Sequence, residues 1–286
     1  MTNTLLVTGA STGLGVSIAI QGAQAGYKVY ATMRNLEKRA ALDNAADTAG
    51  VELQVMALDV EDVNTIETCV QTIVDADGGI DVLVNNAGVG YVRSTEQASH
   101  ADLQWVVNVN LMGVIRCTKA VLPHMRAAGK GHIVAISSVG GLVGQPFNEV
   151  YCATKFAVEG YIESLASYVG PAFGLHFSAV EPGGIVSEFA NNAMKHLVST
   201  GGILEDAYKP IIEKYMAGAQ ARGLSAFQTS DAVAQVVLDC IQADQPPVRV
   251  RTSSWAEELC ELKTASDSDG LLLQKKVADF FLGGLG

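Results

Sequence analysis

Basic residues are the first thing in short supply. Nineteen lysines and arginines stand against thirty aspartates and glutamates, for a formal net charge of −11. That balance excludes a surface built to grip nucleic-acid phosphates. Cysteine is sparse too: Cys69, Cys117, Cys152, Cys240 and Cys260 are odd in number and form no C-x-x-C pair. The pattern excludes a disulfide frame and points to reduced thiols in a cytoplasmic setting. The five histidines show no ligand spacing, so no metal is expected. No uninterrupted apolar run is long enough to span a bilayer, and no membrane span is expected. The opening "MTNTLLVTGAS" lacks a charged leader before an apolar stretch, so no signal peptide is expected. Nor is there a Pro/Gly/Ser-rich linker, an internal repeat or a break in composition. With 49% hydrophobic and 17% charged residues, the chain reads as one soluble, well-packed domain over 1–286.

What is present is alternation. Short apolar runs at 4–8, 28–33, 51–58, 80–85, 131–137, 175–181 and 247–251 are separated by longer segments of helical period. Doubly apolar, Val/Ile-rich strands alternating with helices predict a doubly wound parallel sheet of about seven strands. The architecture is then a three-layer α/β/α sandwich of Rossmann type. Two stretches depart from the pattern. Residues 187–228 form a long helix-prone insertion, placed where a lid would cover the carboxyl ends of the strands; a plain surface hairpin of helices is the alternative. Residues 252–286 form a tail with "SDSDG" inside it.

"VTGASTGLG" closes the first strand and opens the first helix. Its glycines allow a tight turn and close backbone approach, and a helix N-terminus receives a pyrophosphate. Gly9, Ser11, Thr12, Gly13, Leu14 and Gly15 are therefore candidate nucleotide contacts. The spacing is G-x-x-x-G-x-G, and no G-K-[ST] ending suggests a nucleoside triphosphate. At the end of the second strand the sequence reads "YATMRN", with Arg34 and no carboxylate. A guanidinium favours a ribose 2′-phosphate that a carboxylate would repel. NADP(H) is therefore predicted over NAD(H), unless Arg34 is only a solvated surface charge.

Tyr151 and Lys155 sit one helical turn apart in "YCATK". Free tyrosine, with a pKa of about 10, is a poor base at neutral pH, and a neighbouring ammonium is expected to lower it. Ser138 follows the strand "HIVAIS", where its hydroxyl would reach the carboxyl edge of the sheet and could donate to a carbonyl oxygen. Alone, Y-x-x-x-K describes any amphipathic helix. Combined with "TGASTGLG", "LDV" (58–60), "NNAG" (85–88), "VNLMG" (109–113), "ISS" (136–138) and "EPGGIVS" (181–187), it makes the chain resemble the short-chain dehydrogenase/reductase family over roughly residues 4 to 190.

The resemblance implies an oxidoreductase in which Tyr151 exchanges a proton with the substrate oxygen. Lys155 would lower the phenol pKa and hold the nicotinamide ribose, and Ser138 would position the carbonyl. Asn110 would hold a water of the proton relay, with Asn108 as the alternative register. Asp59 and Val60 would meet the adenine, and Asn86, Ala87 and Gly88 would line the adenosine pocket. Pro182, Gly183, Ile185 and Ser187 would close over the nicotinamide, with Ser187 where the family usually has threonine.

The stretch "SVGGLVGQPFNEVYCATKFAVEGYIESLA" is similar to the steroid- and retinol-dehydrogenase group within that family. This implies a bulky apolar alcohol or carbonyl substrate near Leu142, Val143, Phe147, Asn148 and Glu149. Phe189, Met194, Leu197 and Tyr215 would be lid contacts, or would simply pack the insertion onto the sheet. A 3-oxoacyl-thioester reductase shares the same catalytic set, and a non-catalytic dinucleotide sensor is the reading from outside enzymes. A homodimer or homotetramer is implied by the apolar character of the helices at 99–128 and 150–171.

Overall fold

Strand residues in this chain are apolar in both directions, and the computed structural model shows what each face meets. It describes residues 3–221, 227–272 and 275. In β1 (Thr4–Val7), Leu5 and Val7 enter one apolar cluster while Leu6 enters the other. The same two-sided burial recurs along β2 (Lys28–Met33), β4 (Val82–Asn85), β5 (Gly131–Ile136) and β6 (Leu175–Glu181). With β3 (Gln54–Ala57) at one edge and β9 (Arg249–Arg251) at the other, these form a seven-stranded parallel sheet in the order β3-β2-β1-β4-β5-β6-β9. The predicted sheet is therefore present, with its strands where the apolar runs lie.

Helices cover both faces. On one side lie α3 (Val63–Asp77), α5 (Gly113–Ala128) and α6 (Glu149–Phe173), contributing Ile66, Ile73, Val121, Met125 and Ile162. On the other lie α1 (Leu14–Gln24), α2 (Ala40–Ala49) and α9 (Ser230–Gln242), contributing Ile18, Leu42 and Val237. Between α3 and α5, α4 (His100–Val107) runs into α5 through a π-helical turn at Asn108–Met112. The continuous helix His100–Ala128 is long and apolar enough by length and composition to cross a membrane, a property the sequence reading did not anticipate. About 44% of its apolar window is buried in the protein. Its inner face packs on the sheet, as in a core helix.

The insertion contains α7 (Glu188–Ser199) and α8 (Lys209–Ala221), while the tail contains α10 (Ser254–Thr264). A second, two-stranded parallel sheet joins β7 (Gly184–Val186) to β8 (Phe227–Thr229). It was not legible as a strand pair. Residues 222–226 of the insertion, and 273–274 and 276–286 of the tail, lie outside the described residues.

Arg93 ties the insertion to the body. Its guanidinium is only 4% exposed and donates to the carbonyls of Leu197, Thr200 and Gly202 and to Thr200 Oγ1, at 3.0–3.4 Å. These acceptors include the carbonyl of Thr200, the residue that ends α7, which the helix itself leaves open. Hydrogen bonds to a charged group contribute about 1.5–3 kcal/mol each. Arg93→Ala is expected to raise amide hydrogen exchange selectively across residues 188–202, with sheet amides unchanged; uniform exchange throughout the chain would contradict this anchoring role.

Candidate active site

The sheet order changes direction at β1, whose neighbours are β2 on one side and β4 on the other. Open α/β sheets bind ligands outside the carboxyl ends of the strands at such a point. A continuous cavity of about 1010 Å³ lies there. Its walls include Gly9, Ser11 to Gly15, Arg34, Asp59, Val60, Asn86 to Gly88, Ser138, Tyr151, Lys155, Pro182, Gly183, Ile185 and Ser187. One cavity thus gathers residues from separate strand ends.

Local geometry explains the glycines. A Cβ on Gly9 would lie 2.8 Å from the Ala87 backbone, and one on Gly15 would lie 2.4 Å from the Gly9 carbonyl oxygen. Neither position tolerates a side chain. Asn86 clamps the turn by donating its amide to the carbonyls of Thr8 (2.9 Å) and Gly9 (3.1 Å). Gly13 precedes helix α1 and offers no side-chain cap, so first-turn amides stay without a side-chain acceptor where Gly13, Leu14 and Gly15 line the cavity. This donor set suits the pyrophosphate of a dinucleotide. Arg34 and Lys38 both line the cavity beyond β2. Asp59 Oδ1 accepts from the Glu61 amide at 3.0 Å, and Ser187 Oγ caps α7 by accepting from the Phe189 amide at 3.4 Å.

The catalytic candidates converge from β5 and α6. Lys155 is 5% exposed, and its Nζ donates to the Ile136 carbonyl at 2.7 Å. Burial pushes its pKa down to about 8. Nζ lies 5.8 Å from the centre of the Tyr151 ring. Ser138 has an extended backbone, and its Oγ accepts from the Gly140 amide at 3.0 Å. Burial pushes the Tyr151 phenol up to about 12, against the lowering effect of its hydrogen bond with Ser138. The expectation of a lowered phenol pKa is therefore not met by the chain's own groups. The ammonium is committed to Ile136 and sits over the ring, so desolvation outweighs it.

Asn110 is fully buried within the π-helical turn. It accepts from the Val89 amide at 2.7 Å and donates to the Val89 carbonyl at 2.9 Å. A Cβ on Gly88 would lie 3.4 Å from Asn110 Oδ1 and 3.8 Å from Lys155 Nζ, so Asn110 borders the lysine. Asn108 instead accepts from Arg116 at 3.4 Å, away from that contact.

The substrate-side assignments divide. Asn148, Phe189 and Tyr215 line the cavity; Leu142, Val143, Phe147, Glu149, Met194 and Leu197 do not. Leu142 and Val143 pack with Val139, Ala256 and Cys260 beneath α10. Phe147 is buried against the rings of Tyr208 and Tyr215. Motif reading stopped short of Lys38, Trp105, Gln145, Asn192, His196, Phe227 and Trp255, all of which reach the wall. Lys38, four residues after Arg34, was the one with a usable signal.

A family model described as short chain dehydrogenase matches residues 3–197. Retinol dehydrogenase 8 of Bos taurus is 40% identical over 278 residues, covering 95% of this chain and 88% of the relative. 17-beta-hydroxysteroid dehydrogenase type 1 of Homo sapiens is 35% identical over 258 residues, covering 87% and 77%. Among solved structures, a variant of actinorhodin polyketide ketoreductase with NADPH superposes with a TM-score of 0.73 at 29% identity. It covers 87% of this chain and 95% of that one.

In protein with isotope-labelled lysines, NMR is expected to show one side-chain amine titrating near pH 8, well below the others, and missing in Lys155→Met. An amine at position 155 that titrates with the exposed lysines would refute the buried geometry. The sign follows from burial: the folded state releases this proton earlier than the unfolded chain, so the ammonium is present below about pH 8 and lost above it.

Proposed function

Because the chain belongs to the short-chain dehydrogenase/reductase family, and so is an oxidoreductase acting on CH–OH groups, we propose the following reading of its site. It interconverts a bulky apolar alcohol and its ketone or aldehyde using NADP(H), with Tyr151 as acid and base. The observation that carries this is the shared wall: Ser138, Tyr151 and Lys155 line the cavity into which the glycine loop also opens. When bound, a nicotinamide dinucleotide supplies or accepts the hydride.

The chain's own groups manage the proton. Tyr151 is held as a phenol by burial, which makes it a donor to a carbonyl oxygen in the reducing direction. Ser138 hydrogen-bonds the phenol and shares the same edge of the sheet, so it can donate to the oxygen as negative charge builds there. Lys155 keeps a positive charge beside the ring as the phenol gives up its proton, and it is held in place by the Ile136 carbonyl. In the oxidising direction the same groups act in reverse.

Arg34 and Lys38 support the choice of phosphorylated dinucleotide, since two cations at the end of β2 match a 2′-phosphate. The apolar wall from Val139, Phe189, Ala193 and Trp105 and the retinol and hydroxysteroid dehydrogenases among the relatives support a retinoid- or steroid-like substrate. A second reading, reduction of an oxoacyl thioester, draws on the polar Gln145, Asn148 and Asn192 in the same wall. We further read the protein as a cytoplasmic homo-oligomer. Five buried unpaired cysteines and the exposed Phe156, Tyr168 and Phe173 on α6 support that reading.

NADPH oxidation should be measured with a panel of retinoid, steroid and acyl-thioester carbonyls. Tyr151→Phe is expected to lower kcat by about 10²- to 10⁴-fold while NADPH still binds. Turnover restricted to short acyl thioesters would replace the apolar-substrate reading. Arg34→Ala is expected to raise the KM for NADPH roughly 10- to 100-fold, the loss of one charged hydrogen bond, and to leave the KM for NADH nearly unchanged. A wild-type preference for NADH would remove the role given to Arg34.

A further inference from the structure

Helix α6 presents a third titratable residue on the face that carries Tyr151 and Lys155. Glu159 is one turn beyond the lysine, completing an i, i+4, i+8 row. It is 5% exposed. The three residues meet three consecutive positions at the end of β5: Lys155 bonds the Ile136 carbonyl, Tyr151 meets Ser138, and Glu159 lies against Ser137. A Cβ on Gly141 would lie 2.7 Å from Ser137 Oγ and 3.1 Å from Glu159 Oε1, which is why the turn after Ser138 has glycine there.

The sheet register supplies the fourth member. Ile136 pairs with Val180, and the Ser137 amide donates to the Val180 carbonyl at 2.7 Å. Ser137 therefore neighbours Glu181, about 4.8 Å away across the ladder. Glu181 in turn pairs with Arg251 of β9. Side chains at 137, 181 and 251 form one row on the sheet face under α6, and Arg251 Nη1 donates to Glu181 Oε2 at 2.8 Å. Both Glu159 oxygens, Glu181 Oε1 and Ser137 Oγ are buried with no hydrogen-bond partner among the described residues. Glu159 and Glu181 are hydrogen-bonding neighbours, and two carboxylates can share such a bond only when one of them holds a proton.

We propose that Glu159 is a neutral positioning residue whose carboxyl donates a proton-bearing hydrogen bond to the Glu181 carboxylate. Through it, the Ser138 turn, the Glu181–Pro182 segment and the Tyr151/Lys155 helix are locked into one unit. The Val139 amide bonding the Pro182 carbonyl at 2.9 Å closes the same unit from the backbone side. The surrounding charges agree. Lys155 is committed to Ile136 and Glu163 to Arg249, while Arg251 is shared between Glu181 and Glu257. Cys260 is buried nearby with its thiol pushed up to about 11, burial being the first cause. Among the described residues, no cation pairs with Glu159. Burial first, and the Glu181 charge second, hold the Glu159 carboxyl well above its ordinary range.

The decisive test does not need a substrate, so it stands apart from the functional reading on which the kinetic arm rests. Infrared spectra of the full chain at neutral pH are expected to show the carbonyl stretch of a buried protonated carboxylic acid, absent in Glu159→Gln. Absence of that band in wild type, or its persistence in the variant, overturns the proposal. The folded state keeps a proton that the unfolded chain releases, so wild-type stability should fall as pH rises from about 4.5, the ordinary glutamate value. Glu159→Gln should flatten that slope. In turnover, Glu159→Ala frees the turn beneath Ser138 and is expected to lower kcat by up to about 100-fold, the cost of a misplacement near 1 Å. Glu159→Gln, which keeps the donor and the shape, should restore most of it. Equal losses in both folded variants would show that an ionised carboxylate is needed and would overturn the proposal.

Discussion

A buried ammonium with a backbone carbonyl as its partner is the interaction on which the site depends. Lys155 Nζ sits 2.7 Å from the Ile136 oxygen, at the last residue of β5, where the parallel ladder runs out and a carbonyl becomes free to accept. Taking a charge out of water costs several kcal/mol, and the depressed pKa of about 8 expresses that cost. The arrangement persists because α6 is fixed elsewhere. Val158, Ile162, Leu165 and Val169 bury its inner face against Ile133, Ala135, Phe177 and Ala179 of the sheet. Apolar packing thus holds the helix, and the helix holds the charge where strand and cavity meet.

From that contact the remaining placements follow as consequences of period. One turn back along α6 is Tyr151, which must then face the next strand-end residue, Ser138. One turn forward is Glu159, facing Ser137 and the row that leads through Glu181 to Arg251. The glycine loop reaches the same cavity by a different route, because β1 lies where the winding of the sheet reverses. Asn86 then ties the end of β4 to the turn after β1 through Thr8 and Gly9. Two independent devices, a helix row and a strand switch, therefore frame one space.

The sequence made this frame legible where the signal was periodic. The seven strands were readable because doubly buried strands must be apolar throughout, and the nucleotide turn was readable because Gly9 and Gly15 admit no side chain. Tyr151, Lys155 and Ser138 were readable because helix spacing and a strand end determine their neighbours. The apolar residues around the cavity were not. Leu142 and Phe147 look identical in sequence to pocket-lining residues, yet Leu142 turns under α10 and Phe147 packs on Tyr208 and Tyr215. Hydrophobicity says that a residue avoids water without saying which apolar partner it finds. The phenol pKa is raised for a related reason. A tyrosine–lysine pair suggests attraction, whereas burial of both groups is a three-dimensional quantity, and here it dominates.

The two helices of the insertion meet the body through different contacts. Helix α7 is fixed at its start by the Ser187 cap and at its end by Arg93. Along its length His196 bonds Asp102 at 3.0 Å and stacks on Trp105 with ring centres 4.9 Å apart. Its inner face brings Phe189 to 5.9 Å from the Tyr151 ring, and Phe189 and Ala193 close over Gly90, where any side chain would collide with them. Helix α8 meets the body through Tyr215, which accepts from Asn148 at 2.9 Å and packs on Phe147, and through the buried Ile212. Helix α7 thus forms the wall beside the Tyr151 ring, and Tyr215 of α8 lines the same cavity. A shift in α7 would move Phe189 against the Tyr151 ring, so substitutions on α7 are expected to disturb that contact before substitutions on α8 do.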